Sequence, residues 1–200
     1  TALWVGLCGR RLRRMARSLN LAYDKVILAP PFHATYYPGA REMTLKLLFG
    51  REDGRILGTQ IVGEDGVDKR IDVLAAAMQA GMQAPALKEL DWAYAPPFSS
   101  ANDPVNIAGL MAENVLSGKV KQFFPAELSR LPHDAQRLDV RTREEDEEGR
   151  AEEFDLLIPL DELRKRLHEM DRKRPVYIMC QSGYRSYLAC CILSQNGFNC

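Results

Sequence analysis

Val176-Tyr177-Ile178-Met179-Cys180-Gln181-Ser182-Gly183-Tyr184-Arg185-Ser186 is the stretch on which the reading of the last third of the chain turns. An apolar run ends on Cys180. A short loop with one glycine follows, and a helical pattern is expected from Ser186 to Gln195. A loop wound round a sulfur at a helix N-terminus aims backbone N–H groups at it, and the helix dipole adds partial positive charge. Both effects favour thiolate over thiol. Gly183 would let the loop adopt backbone angles that a Cβ forbids. Arg185 would add a fixed cation able to grip an anion with two prongs. Gln181, Ser182, Gly183, Tyr184 and Ser186 are therefore the expected anion-binding loop, with Cys180 the nucleophile and Arg185 its charge partner. Such a pocket suits a cysteine that takes sulfur from a donor and holds it as a persulfide.

A phosphate would fit a similar cradle, so loop length matters. Tyrosine-phosphatase loops are C-x5-R, whereas Arg185 follows Cys180 as C-x4-R. The shorter loop encloses a smaller anion, which favours sulfur. The chain has five cysteines. Cys190 and Cys191 fall inside the expected helix and read as inert, and Cys8 and Cys200 as incidental. At Cys180 alone do strand, glycine loop, arginine and helix start coincide.

Upstream of this loop, Leu138 to Val140 and Leu156 to Ile158 read as short strands. Arg141 to Glu153 is acidic without an apolar period and is expected to be a surface loop. Asp161 to Met170 reads as a helix, with Leu160, Leu163, Leu167 and Met170 on one side. Strands alternating with helices predict an α/β unit with a parallel sheet.

The earlier part of the chain has a different rhythm. Lys25 to Leu28 is a short strand ended by Pro30-Pro31. Met43 to Phe49 alternates apolar residues, Ile56 to Val62 is β-rich, and Glu52-Asp53-Gly54 supplies the turn between them. Val67, Ile71, Leu74, Met78 and Met82 share one helical face, and Asp68 places negative charge near that helix's start. Ala75, Ala76, Ala77, Ala80 and Gly81 would permit close packing of another helix. Asp103 to Leu116 is a second helix closed by Gly118. The expected division is an α+β domain over 1–121, a linker over 122–133 and the α/β domain over 134–200.

Composition narrows the classes. Hydrophobic residues make up 46% of the 200, so a packed core is expected. Lys plus Arg and Asp plus Glu both number 27, which supports neither a nucleic-acid nor a membrane-surface partner. The Arg10, Arg11, Arg13, Arg14 and Arg17 cluster reads as a solvated helix face. The odd cysteine count fits a reducing compartment, the cytoplasm, and no Cys/His run suggests a metal. No apolar run approaches the roughly 20 residues that span a bilayer. The start at Thr1 without Met and the stop just after Asn196-Gly197 read as cuts, so a fragment of a longer protein is expected.

Two resemblances add to this. The cysteine loop resembles that of rhodanese domains. Leu138-Asp139-Val140-Arg141 looks like that family's opening strand, Gly149 like the glycine of its Gly-His-Ile, and Ile158-Pro159-Leu160 like its Asn-Ile-Pro-Leu. Arg150-Ala151 stand where His-Ile would be expected. The Tyr36 to Gly39 run, Leu45 to Gly63, and Tyr94-Ala95-Pro96-Pro97 resemble the C-terminal dimerisation domain of pyridine nucleotide-disulfide oxidoreductases. The likeness is closest to coenzyme A-disulfide reductases and related NADH oxidases or persulfide reductases.

Together the resemblances imply an α+β dimerisation domain followed by an α/β rhodanese-like domain. They imply a homodimeric, FAD-dependent NAD(P)H oxidoreductase parent acting on coenzyme A disulfide, persulfide or polysulfide. Tyr36, chosen over Tyr37, and Tyr94 would then reach the partner subunit's redox cysteine. No G-x-G-x-x-G is present, so the FAD and NAD(P)H sites are expected upstream. The competing expectation is a non-catalytic dimerisation and docking unit with a regulatory rhodanese-like domain. A small phosphatase is the third.

Overall fold

The computed structural model describes residues 4–8 and 22–200; the Arg10 to Arg17 cluster lies outside them. The chain divides into two compact units, Thr1–Lys119 and Val120–Cys200.

The first unit is built on a four-stranded antiparallel sheet in the order β1-β4-β3-β2, formed by β1 (Trp4–Cys8), β2 (Tyr23–Leu28), β3 (Thr44–Gly50) and β4 (Ile56–Gly63). The expected alternation over 43–49 is inward-facing: Met43, just before β3, and Leu45, Leu47 and Phe49 within it are all buried. Leu48 is buried as well, where the β3–β4 register shifts between Leu48 and Phe49. Gly54, at φ 67°, makes the β3–β4 turn, and its N–H donates to Gly50 O at 3.0 Å.

The predicted apolar helix is α1 (Val67–Gln79), lying against β1 and β4. Val67 and Leu74 are buried, and Ile71, Met78 and Met82 pack against the same core. Of the small residues expected to pack closely on α1, Ala77 is buried in this core. Ala76, Ala80 and Gly81 are exposed. The close approach is made by α2 (Pro104–Leu116): a Cβ added to its Gly109 would stand 2.5 Å from Lys88 N in the 3-10 segment Ala84–Glu89. Asp103 caps α2 by accepting from Val105 N–H, and Asn106 accepts from Asp103 N–H in return.

The second unit holds a parallel three-stranded sheet in the order β6-β5-β7, formed by β5 (Gln136–Asp139), β6 (Leu156–Leu157) and β7 (Val176–Met179). The parallel sheet is as expected. Its core joins Leu138, Val140, Ile158, Leu163, Val176, Ala189 and Leu193. The segment 122–133 carries a 3-10 turn, Pro125–Arg130, and Phe123 meets Tyr177 edge-on at 5.6 Å.

Three local expectations change. The acidic stretch 141–153 is not all loop, because α3 (Arg143–Glu148) forms within it. Thr142 and Glu145 make a capping box, and Glu144, Glu145 and Asp146 sit in the first turn, where the dipole favours negative charge. The helix expected over Asp161–Met170 is α4 (Leu160–Arg166), tightening to a 3-10 turn at Leu167–Glu169. The final helix, α5 (Tyr184–Gln195), starts two residues earlier than expected. Gly183 adopts φ 94° as its N-cap, so the chain enters the helix at once, and Tyr187 N–H reaches Gly183 O at 3.0 Å.

Candidate functional site

Strand β7 delivers Cys180 to the start of α5, half-buried beside the second unit's core. Two backbone N–H groups donate to its sulfur: Gly183 N at 3.1 Å and Ser186 N at 3.3 Å. The Ser186 hydroxyl lies 3.6 Å from the sulfur and donates to Gly183 O at 2.8 Å, which stiffens the turn. Gln181, Ser182 and Tyr184 form the exposed outer wall. The loop thus presents two amide hydrogens to Cys180 Sγ.

Arg185 does not stand free over this cup. Its Nη1 and Nη2 donate to Glu145 Oε2 and Oε1 at 2.6 and 2.7 Å. This fork and the Thr142 N–H, 2.9 Å from Oε2, hold Glu145 down to about 2. Glu145, and then the nearby Cys180 sulfur, raise the Arg185 pKa. Behind Glu145, the buried Arg141 pairs with Asp139 (Nη2 to Oδ2, 2.7 Å) and donates to the carbonyls of Glu145 and Gly149. Glu145 was missed from sequence. Its signal was the T-x-x-E of Thr142 to Glu145, hidden in an acidic run.

Cys200 is not isolated: its sulfur lies 3.2 Å from that of Cys190. The Cys190 contact lowers the Cys200 pKa to about 6, while the same contact and burial push Cys190 up.

The first unit brings two of the predicted tyrosines together. Tyr36 and Tyr94, 58 positions apart, share a hydrogen bond between phenol oxygens 2.6 Å apart. Both are exposed, at 74% and 50%, so the pair faces outward. The bond to Tyr36 raises the Tyr94 pKa. Tyr37 turns to His33 instead, edge-on at 5.6 Å.

A buried guanidinium supports both tyrosine loops. Arg70 Nη2 donates to Phe32 O at 2.7 Å and to Asp103 Oδ2 at 2.8 Å, and Ser99 Oγ donates to the same carboxylate oxygen at 2.8 Å. Ala34 N–H donates to Ser99 O at 3.1 Å and ties one loop to the other. Beside Tyr94 a cavity of about 250 Å³ is lined by Trp92, Asn102 and Asn106 among others. Among the described residues no cluster of three His, Cys, Asp or Glu could hold a metal, and no helix is long and apolar enough to cross a membrane.

Residues 3–104, with the tyrosine pair inside them, match the pyridine nucleotide-disulphide oxidoreductase dimerisation domain. The chain belongs to that oxidoreductase family. Coenzyme A disulfide reductase from Staphylococcus epidermidis is 38% identical over 94 residues, 47% of this chain and 22% of that protein. The Staphylococcus haemolyticus reductase is 41% identical over 93 residues, 46% of this chain and 21% of its own length. The chain thus spans about a fifth of the curated relatives it matches.

Two solved structures extend the likeness to the second unit of the chain. Reduced Bacillus anthracis CoADR-RHD is 39% identical with a TM-score of 0.93, covering 98% of this chain and 35% of that one. A NAD-dependent persulfide reductase from A. fulgidus is 38% identical with a TM-score of 0.85, over the same shares.

Proposed function

We propose that this chain is the C-terminal part of a homodimeric, FAD-dependent NAD(P)H oxidoreductase that reduces coenzyme A disulfide, coenzyme A persulfide or polysulfide in the cytoplasm. Residues 1–121 form the dimerisation domain. Residues 134–200 belong to a rhodanese-type domain that carries sulfane sulfur on Cys180, and 122–133 joins the two. The observation that carries the sulfur-transfer reading is the pair of backbone N–H groups on Cys180 Sγ at the head of α5.

In this reading the Cys180 thiolate attacks the outer sulfur of a donor. The donor's S–S bond breaks, and its electron pair leaves with the inner sulfur as a thiolate. Cys180 then holds a persulfide anion, and the Gly183 and Ser186 amides stabilise it. Tyr36 and Tyr94 act as a hydrogen-bonded acid pair. In this reading Tyr94, with Tyr36 hydrogen-bonded to it at 2.6 Å, offers its phenol proton to a coenzyme A sulfur leaving the partner subunit's redox cysteine. The chain lacks a glycine-rich dinucleotide turn, so in this reading the flavin, which supplies electrons from NAD(P)H, is bound by sequence outside it.

The test is sulfur transfer to cyanide from thiosulfate or an alkyl persulfide. Cys180→Ser should abolish transfer with either donor. Unchanged transfer would reject the sulfur-carrier role and favour a docking unit.

A further inference from the structure

The Cys180 loop aims few donors at its sulfur. Two amides, from Gly183 and Ser186, serve a single sulfur anion. The cation that would be expected to take further negative charge is Arg185, and both its η nitrogens are engaged by Glu145 at 2.6 and 2.7 Å.

Glu145 is fixed where it stands. Its Oε2 accepts from Thr142 N–H at 2.9 Å in the capping box. Its carbonyl accepts from Arg141, which is itself buried against Asp139. The pair is charge-neutral, so an arriving anion meets no free guanidinium. Bidentate carboxylate binding also competes directly with the geometry by which Arg grips an oxyanion.

We propose that Glu145 is a specificity-determining residue, which by occupying Arg185 tunes the Cys180 pocket to take sulfur from singly charged persulfides in preference to the thiosulfate dianion. This rests on the reading of Cys180 as the sulfur carrier. With an alkyl persulfide, Cys180–S⁻ and R–S–S⁻ give Cys180–S–S⁻ and R–S⁻. With thiosulfate, the same attack releases sulfite carrying two negative charges. Only the second route brings a dianion into the loop and leaves one there at the moment of S–S cleavage.

The test compares kcat/KM for thiosulfate and for N-acetylcysteamine persulfide, with cyanide as acceptor, in the full chain. Glu145→Gln keeps the capping geometry, because Gln serves a capping box as Glu does, while removing the charge. It should raise the thiosulfate value by about ten-fold and change the persulfide value by less than about two-fold, the scale set by one partly screened charge. Glu145→Asp retains the charge and should leave the ratio of the two donors within about two-fold of the parent's. Equal changes with both donors in Glu145→Gln would overturn the proposal. So would a fall in both, since that would make Glu145 a scaffold for the loop. Cys180→Ser in parallel separates the two ideas: transfer that survives it rejects the carrier itself, whereas Cys180-dependent transfer with an unchanged donor ratio rejects only the role of Glu145.

Discussion

At the scale of single residues, charge and hydrogen bonding set what each site can do. The Tyr36–Tyr94 bond favours neutral Tyr94, and its raised pKa ties stability to pH. A group raised on folding stabilises fully below its unfolded pKa, about 10 for tyrosine, and loses that contribution as pH rises through the folded value. Tyr36→Phe should move one tyrosine's titration, followed by tyrosinate absorbance, down toward the ordinary range. In the full-length reductase proposed above, the same change should lower turnover by at least about ten-fold if the phenol acts as an acid. Turnover equal to the parent's would exclude that role.

Glu145 works in the opposite sense. Held down to about 2 by Arg185, it contributes fully above the ordinary carboxylate range, near about 4.3, and that contribution fades as pH falls toward the folded value. Urea melts between those limits should show a shallower acid loss of stability for Glu145→Gln than for the parent. Parallel acid limbs in the two proteins would contradict the pairing.

At the scale of elements, loops are aimed by the helices and strands beneath them. Gly183 joins β7 to α5 at φ 94°, and its own N–H is one of the two on Cys180 Sγ. Gly183→Ala meets no steric neighbour within 4 Å, so its cost is backbone strain, about 1–2 kcal/mol. Sulfur transfer should fall by more than the melting temperature shift alone implies, because the strain acts on an N–H that serves the sulfur. Full activity in a destabilised variant would show that this amide is dispensable.

The tyrosine loops hang from α1 through Arg70, which is 1% exposed against Asp103 at 2%. Arg70→Met strands a buried carboxylate and should cost about 3–5 kcal/mol in denaturant unfolding. A loss under about 1 kcal/mol would mean that the clasp holds little.

The strands after β1, the two main helices of the first unit and the strand–loop–helix at Cys180 were legible because each declares itself locally, through apolar period or turn chemistry. What stayed hidden was non-local. Trp4–Cys8 reads as a short apolar run until it pairs with β4. Arg70 resembles any helix-surface arginine beside Lys69 until Asp103 and Phe32 O close over it. The Tyr36–Tyr94 contact joins loops separated by both helix and sheet, and no spacing rule reports it. Arg185 was expected to face the anion because its partner, Glu145, is 40 positions away.

At the scale of the whole molecule, each unit has a core of its own, one around Leu45, Leu47, Phe49 and Leu74 and the other around Leu138, Leu163 and Leu193. Calorimetry should resolve two transitions. Leu138→Ala, at a fully buried position, should lower only the one belonging to 120–200, by about 2–5 kcal/mol of unfolding free energy. A single transition that moves as a whole would show that the units unfold together.

Sulfur loading of Cys180 is the claim on which the account turns, and thiol reactivity alone would blur it, because the Cys190 contact lowers the Cys200 pKa to about 6. The direct measurement is peptide-resolved mass spectrometry after brief exposure to an alkyl persulfide, with alkylation to trap the product. One added sulfur atom on the Cys180 peptide, and none on those carrying Cys190, Cys191 and Cys200, is the predicted result. Sulfur found on Cys200 with Cys180 unmodified would contradict it.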